Sequence, residues 1–103
     1  MSRKKEELLN YLEKPRAIRT LLCLLSLENK GLDEILKEIG GSKSTGMARI
    51  YELMKLGLVV KKASQTERRK MLYCLEDKGV KIAKELQKII NSYEKADNVN
   101  IPS

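Results

Sequence analysis

The sequence contains no histidine, no tryptophan and no phenylalanine, and only two cysteines and two prolines. The missing histidine removes the commonest general base, and no glycine-rich phosphate loop or nucleophile motif takes its place, so catalysis is not expected. Cys23 and Cys74 are too few to hold zinc without histidine to complete the set; neither a metal nor a cofactor is expected. Four tyrosines are the whole aromatic content, which leaves little for stacking unpaired bases and disfavours RNA as a partner. The greasiest stretch, Leu21 to Leu25, falls far short of the roughly 20 residues of a membrane helix. No apolar signal core follows the basic start MSRKKEELLN, so a cytoplasmic chain without membrane contact is expected.

What is present describes one small globular domain. With 103 residues, 42% of them hydrophobic and 34% charged, the chain has room for a single core under a heavily solvated surface. The net charge of +7 is unevenly placed. Residues 1 to 41 carry 8 basic and 7 acidic groups, residues 42 to 70 carry 8 and 2, and residues 71 to 103 carry 5 and 5. A surplus concentrated in one segment points to a polyanionic partner, whereas a surplus serving solubility alone would be spread out.

Periodicity supplies the elements. Leu8, Leu9 and Leu12 mark a short first helix that Pro15 ends, and Pro15 is expected to open the next. That second helix, about 15 to 26, carries Ile18, Leu21, Leu22, Leu24 and Leu25 over so wide an arc that it reads as the core helix. A turn at Asn29 to Gly31 precedes a third helix marked by Leu32, Ile35, Leu36 and Ile39 and stopped by Gly40 and Gly41. A fourth helix, about 42 to 56, takes Ser42 or Ser44 as N-cap and closes at Gly57. Two short helices around a glycine turn form a helix-turn-helix pattern. The period then changes: LVVKK (58 to 62) and KMLYCL (70 to 75) read as two strands around the polar loop ASQTERR. From Glu76 a long amphipathic helix, about 77 to 95, returns, and residues 96 to 103 read as a flexible tail.

The stretch GGSKSTGMARIYELMKLGLVVKK resembles the recognition helix and first wing strand of MarR-type and ArsR-type winged-helix regulators, down to Gly57, Leu58 and Val59. ERRKMLYCLEDKG is similar to the MarR wing signature, through Glu67, Arg69, Leu75, Lys78 and Gly79. The resemblance covers about residues 15 to 90. It implies a mostly helical winged helix with a small β-hairpin, double-stranded DNA as partner and a role in transcription regulation, whether by sequence-specific or architectural binding. Full-length members are longer, so no small-molecule effector pocket is expected. A winged-helix module that binds protein instead is the alternative, which the charge segregation disfavours.

Candidate contact residues follow from helix geometry. With Ile50 and Leu53 turned inward, Gly46 lies on the inward stripe and permits close helix packing. Lys43, Ser44, Met47, Ala48 and Tyr51 then face outward, Arg49 lies on the flank, and Ser42, Lys43, Ser44 and Thr45 suit phosphate contacts at the helix start. Arg68, Arg69 and Lys70 stand at the wing, where an arginine can enter a minor groove, with Glu67 placed to orient Arg69. Val80, Ala83, Leu86, Ile90 and Tyr93 on the last helix, with Leu8, Leu9 and Leu12, form an apolar seam expected to build a homodimer. Cys23 and Cys74, placed in the core helix and on the inner part of the wing, read as buried free thiols, with a disulfide between them as the alternative.

Overall fold

A computed structural model describes residues 2–27 and 30–99. The order of elements is α1 (Arg3–Leu12), α2 (Ala17–Ser26), α3 (Leu32–Ile39), α4 (Lys43–Lys55), β1 (Val59–Ala63), β2 (Met71–Leu75) and α5 (Asp77–Val99). This is the helical winged-helix architecture that the period switch after Gly57 implies.

The corner between α1 and α2 departs from expectation. Pro15 does not open α2; it sits in a turn closed by a 3.2 Å bond from the Ala17 amide to the Lys14 carbonyl, and α2 starts two residues later. Arg16 between them adopts a left-handed conformation with φ of 64°, which breaks the helical path. The corner is tied inward where the buried Tyr11 hydroxyl donates 3.1 Å to the Ala17 carbonyl. α2 buries Ala17, Thr20, Leu21, Cys23 and Leu24, while Ile18, expected in the core, stays exposed. Thr20 is tolerated at full burial because its hydroxyl donates 2.7 Å to the Arg16 carbonyl.

α3 and α4 cross closely. Gly46 is buried at the crossing, and a Cβ built on it would come within 2.5 Å of Leu36 Cδ2. Leu21, Ile35, Ile39, Ile50 and Leu53, all fully buried, complete this part of the core. α4 ends in a Schellman motif: the Gly57 amide bonds to the Met54 carbonyl and the Leu58 amide to the Leu53 carbonyl at 2.9 Å, with Gly57 at φ of 75°. Leu58, expected to start the first strand, is instead the buried residue following this cap. The strands therefore begin one residue later than expected, pairing antiparallel from Val59↔Leu75 to Ala63↔Met71. Gly31 forms a bridge to Leu72, adding a stub to the far edge of the hairpin. The turn expected at Asn29 to Gly31 lies partly outside the described residues.

α5 runs to Val99, four residues beyond the expected end at 95; the rest of the predicted tail, 100 to 103, lies outside the described residues. Its first half packs on α2 and β2, with Ala83 fully buried in the chain's own core.

The crossing at Gly46 makes a direct prediction. Gly46→Val gains helix propensity but must displace Leu36 from a filled core, so it is expected to destabilise the fold by about 1–3 kcal/mol. Urea unfolding of the variant checks this; a midpoint equal to that of the parent would contradict it.

Candidate nucleic-acid interface

The start of α4 is organised by hydroxyl groups. Ser42, in extended conformation, is the N-cap: its Oγ accepts 3.2 Å from the Thr45 amide and donates 2.7 Å to Thr45 Oγ1. Ser44 Oγ lies 3.4 Å from Ser42 Oγ. The two hydroxyls of Ser42 and Thr45 are thus engaged in the cap, while Lys43 and Ser44 stand exposed in the first turn with no acidic residue beside them. Further along, Tyr51 is 49% exposed and Ala48 is half-buried. Met47, expected to face outward, is half-buried and packs against the core. Lys55 falls on the same outer stripe as Ser44, Ala48 and Tyr51, one turn beyond Tyr51; it was not singled out from the sequence although its spacing marks it.

Arg49 is the clearest departure. It does not stand on the flank: its side chain is only 12% exposed, with Nε 3.0 Å from Glu52 Oε1. Glu52 also pairs with Lys14 from the corner before α2. The buried Tyr11 hydroxyl lies in the field of this cluster, its ionisation pushed up first by burial, then lowered by Arg49 and raised by Glu52. Arg49 Nε and Nη1 and Glu52 Oε1 are buried without a well-formed hydrogen bond, so the pair acts as an internal charge couple that α4 keeps away from its outer face.

The wing is a closed, ordered loop. The Ser64 amide donates 2.8 Å to the Lys70 carbonyl, and Ser64 Oγ accepts from the amides of Thr66 and Glu67 at 3.3 and 3.0 Å. Glu67 pairs with Lys70 at 3.3 Å and not with Arg69; the Lys70 amide also donates 3.4 Å to the Glu67 carbonyl, so Arg68 and Arg69 are the two central residues of the turn at the tip of the wing. Arg68 and Arg69 are exposed and, among the described residues, carry no ion pair; Arg69 holds a left-handed φ of 63°. On the strands below, Lys61 Nζ lies 5.7 Å from the Tyr73 ring centroid.

The residues expected to form a dimer seam divide into two sets. Ala83 faces the chain's own core, and Leu8, Leu12 and Leu86 pack against it, because the first half of α5 folds back onto α2. Val80 is half-buried. Leu9, Ile90 and Tyr93 remain exposed, joined by Ile89, which the sequence reading omitted; Ile89 is 66% and Tyr93 65% exposed. Ile90 borders an open cleft of about 540 Å³ between α1, α2 and α5, together with Leu12, Ile18, Leu22 and Cys23. A second open groove of about 480 Å³ lies among Leu8, Leu56, Leu58 and Ile82 under a rim of lysines.

Cys23 and Cys74 are both free. Tyr73 is the inward residue of β2, so strand alternation turns Cys74 to the other face of the ribbon, away from the core that encloses Cys23. Among the described residues no group of His, Cys, Asp or Glu is placed to hold a metal ion, and no helix is long and apolar enough to cross a membrane.

No protein-family model and no curated protein matches this chain. Solved structures do match its fold. MepR, a transcription regulator of the Staphylococcus aureus multidrug efflux pump MepA, aligns with a TM-score of 0.71 at 16% identity, covering 97% of this chain and 76% of that one. The S. aureus MepR–DNA complex aligns at 0.66 and 16%, over 92% of this chain and 78% of that one. A Listeria innocua protein of unknown function reaches 0.75 at 22% identity, over 94% and 67%. The chain has the winged-helix fold of the regulator MepR, as the sequence resemblance implies.

The thiols provide a check on the strand register. Burial raises the Cys23 thiol, with Glu38 adding to the rise and Arg19 opposing it, so little thiolate forms near neutral pH. Mass spectrometry after brief alkylation of the native protein is expected to find Cys74 modified well ahead of Cys23. Preferential labelling of Cys23 would contradict the placement.

Proposed function

We propose that the chain binds double-stranded DNA through α4 and the wing and acts in transcription regulation as a homodimer. One observation carries the reading. The segment from 42 to 70, with 8 basic and 2 acidic residues, folds into one recognition helix and one wing whose apical arginines have no internal partner among the described residues. Lys43 and Ser44 enter at the N-terminal end of α4, where a helix in the major groove meets base edges and phosphates. Ala48 and Tyr51 continue that surface. Arg68 and Arg69 at the apex suit an adjacent minor groove, with Lys70 alongside. Arg49 is not part of this surface, since its charge is spent inside the fold on Glu52. MepR, whose fold the chain shares, has been crystallised with DNA, which supports the same use of the fold here.

Removing Arg69 or Lys43 is expected to lower the salt slope of log affinity by about 1 each if each meets one phosphate. Arg69→Ala and Lys43→Ala, titrated on duplex DNA at several salt concentrations, check this, with Lys81→Ala and Lys88→Ala on α5 as controls. The exposed tip adds little to folding, so stability should change by no more than about 0.5 kcal/mol. Equal losses in the control variants would reduce the binding to unspecific attraction and overturn the reading.

The dimer rests on the second half of α5. Ile89, Ile90 and Tyr93 lie beyond the part of the helix that the core covers, and Ile18 and Leu22 extend the apolar surface across the neighbouring cleft. Two-fold pairing there would set recognition helices roughly 34 Å apart, or a multiple of it, one DNA turn between half-sites. Sedimentation is expected to show a dimer at micromolar concentration, and Ile89→Asp with Tyr93→Asp is expected to return a folded monomer. A monomeric parent would contradict the assembly.

A further inference from the structure

We propose that Arg16 is a positioning residue for the recognition helix, gripping the turn before α4 without touching DNA; the proposal rests on the DNA-binding reading above. Among the described residues Arg16 is one of two non-glycine residues with positive φ, and no side chain caps α2 there, so its strained backbone is held by something else. Its guanidinium supplies the answer. Nη1 donates 2.7 Å to the carbonyl of Ile39, the last residue of α3, placing a cation on the negative end of that helix.

The same group lies over the two glycines that follow. A Cβ on Gly41 would come within 2.5 Å of Arg16 Nε and 3.1 Å of Cζ, and one on Gly40 within 3.3 Å of Nη1. Gly40 and Gly41, with φ of 76° and 69°, therefore serve two purposes: they take backbone angles that side chains resist, and they leave a bare surface for a planar cation. The next residue, Ser42, is the N-cap of α4. The guanidinium thus covers the joint on which the recognition helix is hinged. Two residues earlier, Lys14 pairs with Glu52 on the third turn of α4, so one corner holds this helix both at its pivot and toward its far end. Arg16 itself lines the cleft between α1, α2 and α5, with Ile18, Leu22 and Ile90, and not the outer stripe of α4.

A planar fork is required, since an ammonium group can meet one carbonyl but cannot lie flat over two glycines. Arg16→Ala and Arg16→Lys are each expected to lose about tenfold in duplex affinity. Their salt slopes should stay at the parent value, unlike that of Lys43→Ala. If the alanine variant unfolds, the lysine variant, which keeps the charge and the stem, carries the test. In the free protein, Arg16→Lys should shift the amide resonances of Gly40, Gly41 and Ser42 to Met47 while helical circular dichroism is unchanged. This arm needs no DNA, so it separates a failure of the proposal from a failure of the DNA-binding reading. Duplex affinity of Arg16→Lys within twofold of the parent, a salt slope lowered by about 1, or unshifted amides would each overturn the proposal.

Discussion

Leu36 of α3 rests against the bare Cα of Gly46 on α4, and no side chain fits between them. This contact brings the backbones of the helix-turn-helix together closely enough for Ile35, Ile39, Ile50 and Leu53 to be fully buried in one core. It also decides which residues of α4 are free. Once Gly46, Ile50 and Leu53 face inward, the 100° step of the helix leaves Ser44, Ala48, Tyr51 and Lys55 outward. The hairpin depends on the same orientation, because the Schellman turn at Gly57 aims β1 from the end of α4 and buries Leu58 beneath it.

Charge in the basic segment is sorted by this geometry into internal and external use. Arg49 meets Glu52, Lys70 meets Glu67, and Lys61 lies over Tyr73, so part of the surplus serves the fold. Lys43, Arg68 and Arg69 have no such task among the described residues, and they stand at the two places, helix start and wing tip, on which the proposed DNA contact rests. Pairs as exposed as that of Lys70 add little stability.

The elements were legible in the sequence wherever one local rule governed them. The change from helical to alternating period after Gly57 located the wing, and the spacing of Gly46, Ile50 and Leu53 gave the helix crossing. What escaped were consequences of contacts distant in sequence. Pro15 read as a helix start, but the left-handed Arg16, held by Ile39 23 residues away, delays α2. Arg49 read as a flank residue although its partner Glu52 lies one turn on; what is not local is that this pair is buried, with Lys14 reaching Glu52 from 38 residues away. Ala83 read as part of a dimer seam because a helix face alone does not tell which half its own core will cover. Cys74 read as an inner, buried residue of the wing, but in β2 it is Tyr73 that the core takes up, and strand alternation then turns Cys74 to the other face.

The central claim is that α4 and the wing tip form one DNA-reading surface. Titrating isotope-labelled protein with a short duplex while following backbone amide resonances tests it most directly. The account predicts the largest changes at Ser42 to Tyr51 and at Gln65 to Lys70, with α5 from Lys84 to Lys95 unperturbed. Changes concentrated on α5, or spread evenly over every lysine, would contradict it.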